Sequence, residues 1–112
     1  MRLSTSPIEN DVPNKSQQAR VAIVNNNTVN ATVRVKVFSL DGLNVLIFDS
    51  GNLILSPDSS IESVVSEIEG GSEWEIQCSS NKGKVFFDVF GQDANQRFNV
   101  NHRIVHAEMN IT

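Results

Sequence analysis

From Ala31 to Phe38 the chain reads Ala-Thr-Val-Arg-Val-Lys-Val-Phe, with Val33, Val35 and Val37 at every second position and Arg34 and Lys36 between them. Successive side chains of an extended strand point to opposite faces. This spacing therefore puts three β-branched residues on one face and two cations on the other. A strand with one dry and one wet face belongs to an antiparallel sheet, because parallel strands are normally covered on both sides. A lone strand cannot bury its valines, so the rest of the chain must supply partners.

Such partners recur along the sequence. Val21 and Ile23 alternate with smaller or polar neighbours until Asn25-Asn26-Asn27-Thr28 breaks the run. Asp41-Gly42 signals a turn into Asn44–Phe48, and Asp49-Ser-Gly51-Asn a second turn into Leu53-Ile-Leu55, which Pro57 stops. Ile61–Ile68 fits a strand and also a two-turn helical stripe through Ile61, Val64, Val65 and Ile68. Its exit through Gly70-Gly71 and its neighbours favour the strand. Glu73–Ser79 alternates with Trp74, Ile76 and Cys78 inward, Asn81-Lys-Gly83 turns into Val85–Phe90, and Ile104–Met109 reads as a last strand. Residues 1–18 are rich in Ser, Pro, Asn and Gln without a period and read as a flexible arm. About seven or eight short strands at this spacing predict an antiparallel β-sandwich over 19–112, of immunoglobulin-like or fibronectin-like type. Its expected core is Val33, Val35, Val37, Trp74, Ile76, Val85, Phe87 and Val89.

A chain of 112 residues accommodates one such domain. Its net charge of −4 disfavours a nucleic-acid role, although Arg20, Arg34 and Lys36 could form a local basic patch. Cys78 is the one cysteine, which rules out an intramolecular disulfide and with it the intersheet cystine of antibody domains. The first ten residues lack the apolar core of a secretory leader, and no run is long enough to span a bilayer. The expectation is a protein off the membrane, cytoplasmic by default or surface-associated without a leader.

The chemistry-bearing residues have plain readings. Cys78 shares a strand face with Trp74 and Ile76, as a buried small hydrophobe does. His102 and His106 are four apart, but Arg103 follows His102, so the HExxH order is missing. On a strand, His106 and Glu108 share one face about 6.6–7 Å apart and lack a third metal ligand, as expected of a solvated surface. The central carboxylates Glu62, Glu67, Glu69, Glu73 and Glu75 could in principle serve glycoside hydrolysis. A simpler expectation sets Glu73 and Glu75 opposite Arg34 and Lys36 as cross-strand pairs. Asp41, Asp49 and Asp93 do turn duty without the spacing of a calcium loop. Four Asn-x-Ser/Thr triplets, at Asn14, Asn26, Asn30 and Asn110, carry no weight in a chain so rich in these residues. No catalytic, metal or cofactor motif emerges.

The aromatic residues are more informative. In Val85-Phe86-Phe87-Asp88-Val89-Phe90 both strand faces carry rings. Either the strand is central and covered on both sides, or an apolar strip lies open to a partner. Phe86, Phe90 and Phe98, with Phe38, are the candidate interaction surface.

Val-Arg-Val-Lys-Val-Phe at 33–38, Val-Phe-Gly-Gln-Asp at 89–93 and Ile-Val-His-Ala-Glu at 104–108 give the chain a resemblance to small β-sandwich proteins of spore-forming Gram-positive bacteria. The resemblance covers Arg20 to the C-terminus. It implies the sandwich fold and a surface or spore-associated setting, and it transfers no functional residues. The functional expectation is a non-catalytic structural or interaction module, working through a protein partner or self-association by edge-strand or apolar-face contacts. A carbohydrate-binding module is the alternative, though one Trp and no Tyr leave it short of stacking residues. A small hydrolase built on the carboxylates or histidines ranks third.

Overall fold

The computed structural model describes residues 1–10, 15–42, 44–68, 73–95 and 97–111; of the residues in its strands, the side chains of 62–66, 100 and 101 are outside the description. The fold is all-β. Its strands are β1 (Arg2–Ser4), β2 (Ile8–Glu9), β3 (Gln18–Asn25), β4 (Ala31–Ser39), β5 (Val45–Asp49), β6 (Leu53–Leu55), β7 (Ser59–Glu67), β8 (Glu73–Ser80), β9 (Val85–Gln92), β10 (Phe98–Val105) and β11 (Asn110–Ile111). One antiparallel sheet runs β11-β1-β8-β4-β5, with β2 also on β8 and β6 also on β4. The other runs β10-β9-β3-β7. No helix among the described residues is long and apolar enough to cross a membrane.

Alternation places the core between the two sheets. Val33, Val35 and Val37 of β4 and Trp74, Ile76 and Cys78 of β8 face Val21 and Ile23 of β3 and Val85, Phe87 and Val89 of β9, all within one buried cluster. All eight residues of the expected core lie in it. Ser59–Glu67 is a strand, paired with β3 from Asn25↔Ser59 to Gln18↔Glu67.

Two expectations are corrected. The first concerns the arm. Arg2–Ser4 pairs on one side with β8 (Leu3↔Cys78) and on the other with β11 (Leu3↔Ile111), and Ile8 pairs with Trp74. Leu3 and Ile8 are buried in the same core. Two isolated apolar residues suffice here because β8 already presents an alternating edge for them to continue. The second concerns the C-terminal strand. It begins at Phe98 and ends at Val105, and His106–Glu108 is a single 3-10 turn.

The reason lies in the β9–β10 ladder. Phe98 and Asn99 pair with Gln92 and Gly91, and the next registered pair is Arg103↔Phe90, so residues 100–102 bulge out of the ladder. A bulge re-aims side chains, and here it turns His102 inward.

Candidate interaction surface

β9 is central in its sheet, between β10 and β3, yet only one of its faces is covered. Val85, Phe87 and Val89 point into the sandwich, leaving Phe86, Asp88 and Phe90 on the outside. β3 continues this outer face with Val24 opposite Phe86, Ala22 opposite Asp88 and Arg20 opposite Phe90. β10 adds Phe98 and Arg103. Phe98 is 63% exposed and Phe86 44%. The rings of Phe90 and Phe98 meet edge to face with centroids 5.1 Å apart. Beside them is a hollow of about 340 Å³ lined by Phe90, Phe98, Asn99 and Arg103.

The polar atoms of this face are sparsely satisfied. Arg103 reaches Asp88 at 3.3 Å, while the buried Oδ1 of Asp88 and Nε of Arg20 have no partner among the described residues. At the far end, the His106 ring lies 5.2 Å from Phe86 and stacks on Phe87, and its Nδ1 accepts the Phe87 amide at 3.2 Å. The face is thus an aromatic strip with charged groups at its centre.

The structure brings together three of the four proposed aromatics. Phe38 lies on the outer face of the other sheet, opposite Glu75 and Leu46. Its neighbour β5 forms the edge of that sheet. Val45, Leu46 and Ile47 are each more than 40% exposed there, and no charge appears before Asp49. Among the described residues, β5 pairs with β4 alone.

The remaining candidates lie elsewhere. His102 is 2% exposed rather than solvated. Its Nε2 lies 2.7 Å from the Glu9 carbonyl oxygen, which can only accept, so Nε2 carries the proton. Nδ1 then accepts the Ser16 hydroxyl at 2.6 Å. Ser16 is itself fully buried, with its backbone on both amide atoms of Asn10. The pair therefore ties Glu9 and Ser16 to β10 rather than offering a nucleophile. Sequence reasoning missed it because Ser16 fell in a segment without pattern and His102 in a bulge. Glu108 folds back to accept the Val105 amide at 3.1 Å and does not share a strand face with His106.

Cys78 is buried, and loss of hydration pushes its thiol up to about 12. Glu75 stands opposite Phe38 and accepts the Ser4 hydroxyl at 2.5 Å, so the expected pairing with Arg34 and Lys36 does not form. Arg34 instead grips Asp49, with Nε 2.8 Å from Oδ1 and Nη2 on Oδ2. This hydrogen bonding raises the Arg34 pKa and, with the Gly51 amide, holds the Asp49 carboxyl well below its usual range. Arg20 lies on the opposite sheet from Arg34 and Lys36, so these three form no common patch. Glu62 and Glu69 fall outside the described side chains.

No protein-family model matches the chain, and no curated protein does. Two solved structures share its fold. Thermotoga maritima 1070 superposes with a TM-score of 0.56 at 14% identity, over 93% of this chain and 88% of that one. The Anabaena sensory rhodopsin transducer gives 0.53 at 14% identity, over 85% and 90%.

Proposed function

We propose that this chain is a non-catalytic interaction module, an immunoglobulin-like or fibronectin-like sandwich that engages a protein partner through the outer face of β9 and β10. The observation that carries the reading is Phe98, 63% exposed and packed on Phe90 beside an open hollow of about 340 Å³. Aromatic residues in such a setting are the usual anchors of protein interfaces. The hollow suits an apolar side chain, and the Arg20 and Arg103 guanidiniums suit a carboxylate next to it. A surface or spore-associated setting agrees with this reading.

The test compares capture of source-cell proteins by the wild type, by Phe98→Ser and by Ile54→Ser. Ile54 is 70% exposed on the other sheet and serves as the control. A partner retained by wild type and I54S but lost by F98S, with affinity reduced at least about tenfold, supports the module. Equal capture by all three removes it.

The uncharged Val45–Phe48 run on the edge strand β5 favours a second reading, self-association by strand pairing between copies. Sedimentation velocity of wild type and Ile47→Lys separates the two. A dimer that the lysine abolishes supports edge pairing, and monomers at every concentration exclude it.

A further inference from the structure

On the outer face of the seven-stranded sheet, register sets cations side by side. Arg2 of β1, Ser79 of β8 and Arg34 of β4 form one row, and Ser4, Gln77 and Lys36 form the next. Neighbouring strands lie about 4.8 Å apart, so Arg2 and Arg34 start roughly 10 Å from each other across Ser79. Arg34 and Lys36 start about 7 Å apart along one strand. Side chains of this length can converge on a point above Ser79 and Gln77. Arg2, Arg34, Lys36, Gln77 and Ser79 line a hollow of about 200 Å³, whose floor includes Cys78. At about 30 Å³ per water, that is room for roughly six or seven waters, or for a phosphate group bearing a few carbons.

The charges are only partly answered. Asp49 occupies Nε and Nη2 of Arg34 and so fixes the guanidinium in place, while Nη1 has no described partner. Neither Arg2 nor Lys36 makes an ion pair with a described residue. Of the other carboxylates on this face, Glu75 is occupied by Ser4 and Gln77, Glu73 and Glu9 stand beyond it on β8 and β2, and none of the three lines the hollow. Arg2, Lys36 (across the strand from Asp49, whose carboxyl feels its charge), one pre-oriented guanidinium, a hydroxyl and an amide thus face a single concavity. The backbone groups here are spent on the ladder, so recognition falls to side chains, and guanidiniums favour forked contact with oxyanions.

From this arrangement we infer that the hollow between β1, β8 and β4 is a binding site for a small phosphate dianion, a phosphomonoester of low molecular weight. A net charge of −4 opposes a long polyanion, whose flanking phosphates would meet the acidic remainder of the surface. A single phosphate group meets only the cations. The site lies on the opposite sheet from the aromatic strip and is independent of it.

The test follows backbone amide NMR shifts of the full chain during titration with inorganic phosphate and with glycerol 3-phosphate. Ionic strength is held constant with chloride, and a single-stranded oligonucleotide forms a third arm. Saturable shifts centred on Arg34, Lys36, Gln77 and Ser79 are expected, with Kd on the order of 1 mM. Affinity should rise from about pH 5 to pH 8 as the phosphate becomes a dianion. Arg2→Gln/Lys36→Gln should weaken binding at least about tenfold, and the charge-matched Lys15→Gln/Lys84→Gln should leave it unchanged. Linear drift without saturation, or equal affinity in both double variants, overturns the site. Tighter binding of the oligonucleotide than of glycerol 3-phosphate overturns the ligand class.

Discussion

Cys78 lies between Trp74 and Ile76 on the inner side of β8, and its thiol is pushed up to about 12 because burial penalises the thiolate. Since an unfolded cysteine ionises near 8.5, this group adds stability that is complete below about pH 8.5 and is lost as pH rises toward 12. A thiol reagent at about pH 8 should leave the native protein unmodified and label Cys78 only on unfolding. Asp49 has the opposite sign. Its folded pKa is depressed, so its contribution is present above about pH 4 and is lost as pH falls further. The melting temperature of Asp49→Asn should therefore differ from wild type at neutral pH and converge with it in strong acid. Gly91 is a third residue with a steric task. A Cβ there would overlap the Ser16 hydroxyl and stand 3.0 Å from the His102 Cβ. Gly91→Ala should cost about 1–3 kcal/mol by urea denaturation, and adding Ser16→Gly should restore part of that loss.

Strands differ in how far they announce themselves. β4, β8 and β9 alternate over eight or nine residues, and their buried sets match the valines, Trp74, Ile76, Phe87 and Val89 expected to be inside. β1 and β2 are three and two residues long, too short to show a period. They are strands because β8 leaves an edge for them to pair with, which is a property of the assembled sheet. Leu3→Ala tests this directly and should destabilise by about 2–4 kcal/mol; a change under about 0.5 kcal/mol would mean that β1 is dispensable. The candidate surface was half legible for the same reason. Phe86 and Phe90 share a strand face by alternation, and Phe98 joins them through pairing. Phe38 has the same exposed-aromatic signature, but nothing local says which sheet its strand enters. His102 escaped because a bulge cancels the parity on which strand reading depends.

At the scale of the whole molecule, most pairings join distant parts of the chain: Leu3 to Cys78, Val33 to Ser80, Gln18 to Gln92. Such topology delays the reward for ordering the chain, so folding should occupy milliseconds to seconds. Stopped-flow fluorescence of the fully buried Trp74 would follow it. The β1–β11 pair has a mechanical consequence. Leu3 faces Ile111 and Ser4 faces Asn110, so residues 2 and 111 emerge side by side at the same end of an antiparallel pair. Tension applied there opens hydrogen bonds one after another, as a zipper does, instead of loading them together in shear. The domain should detach β11 under a small pulling force while the β3–β9 and β4–β8 ladders stay closed, so a tether attached at these ends meets its most yielding joint first.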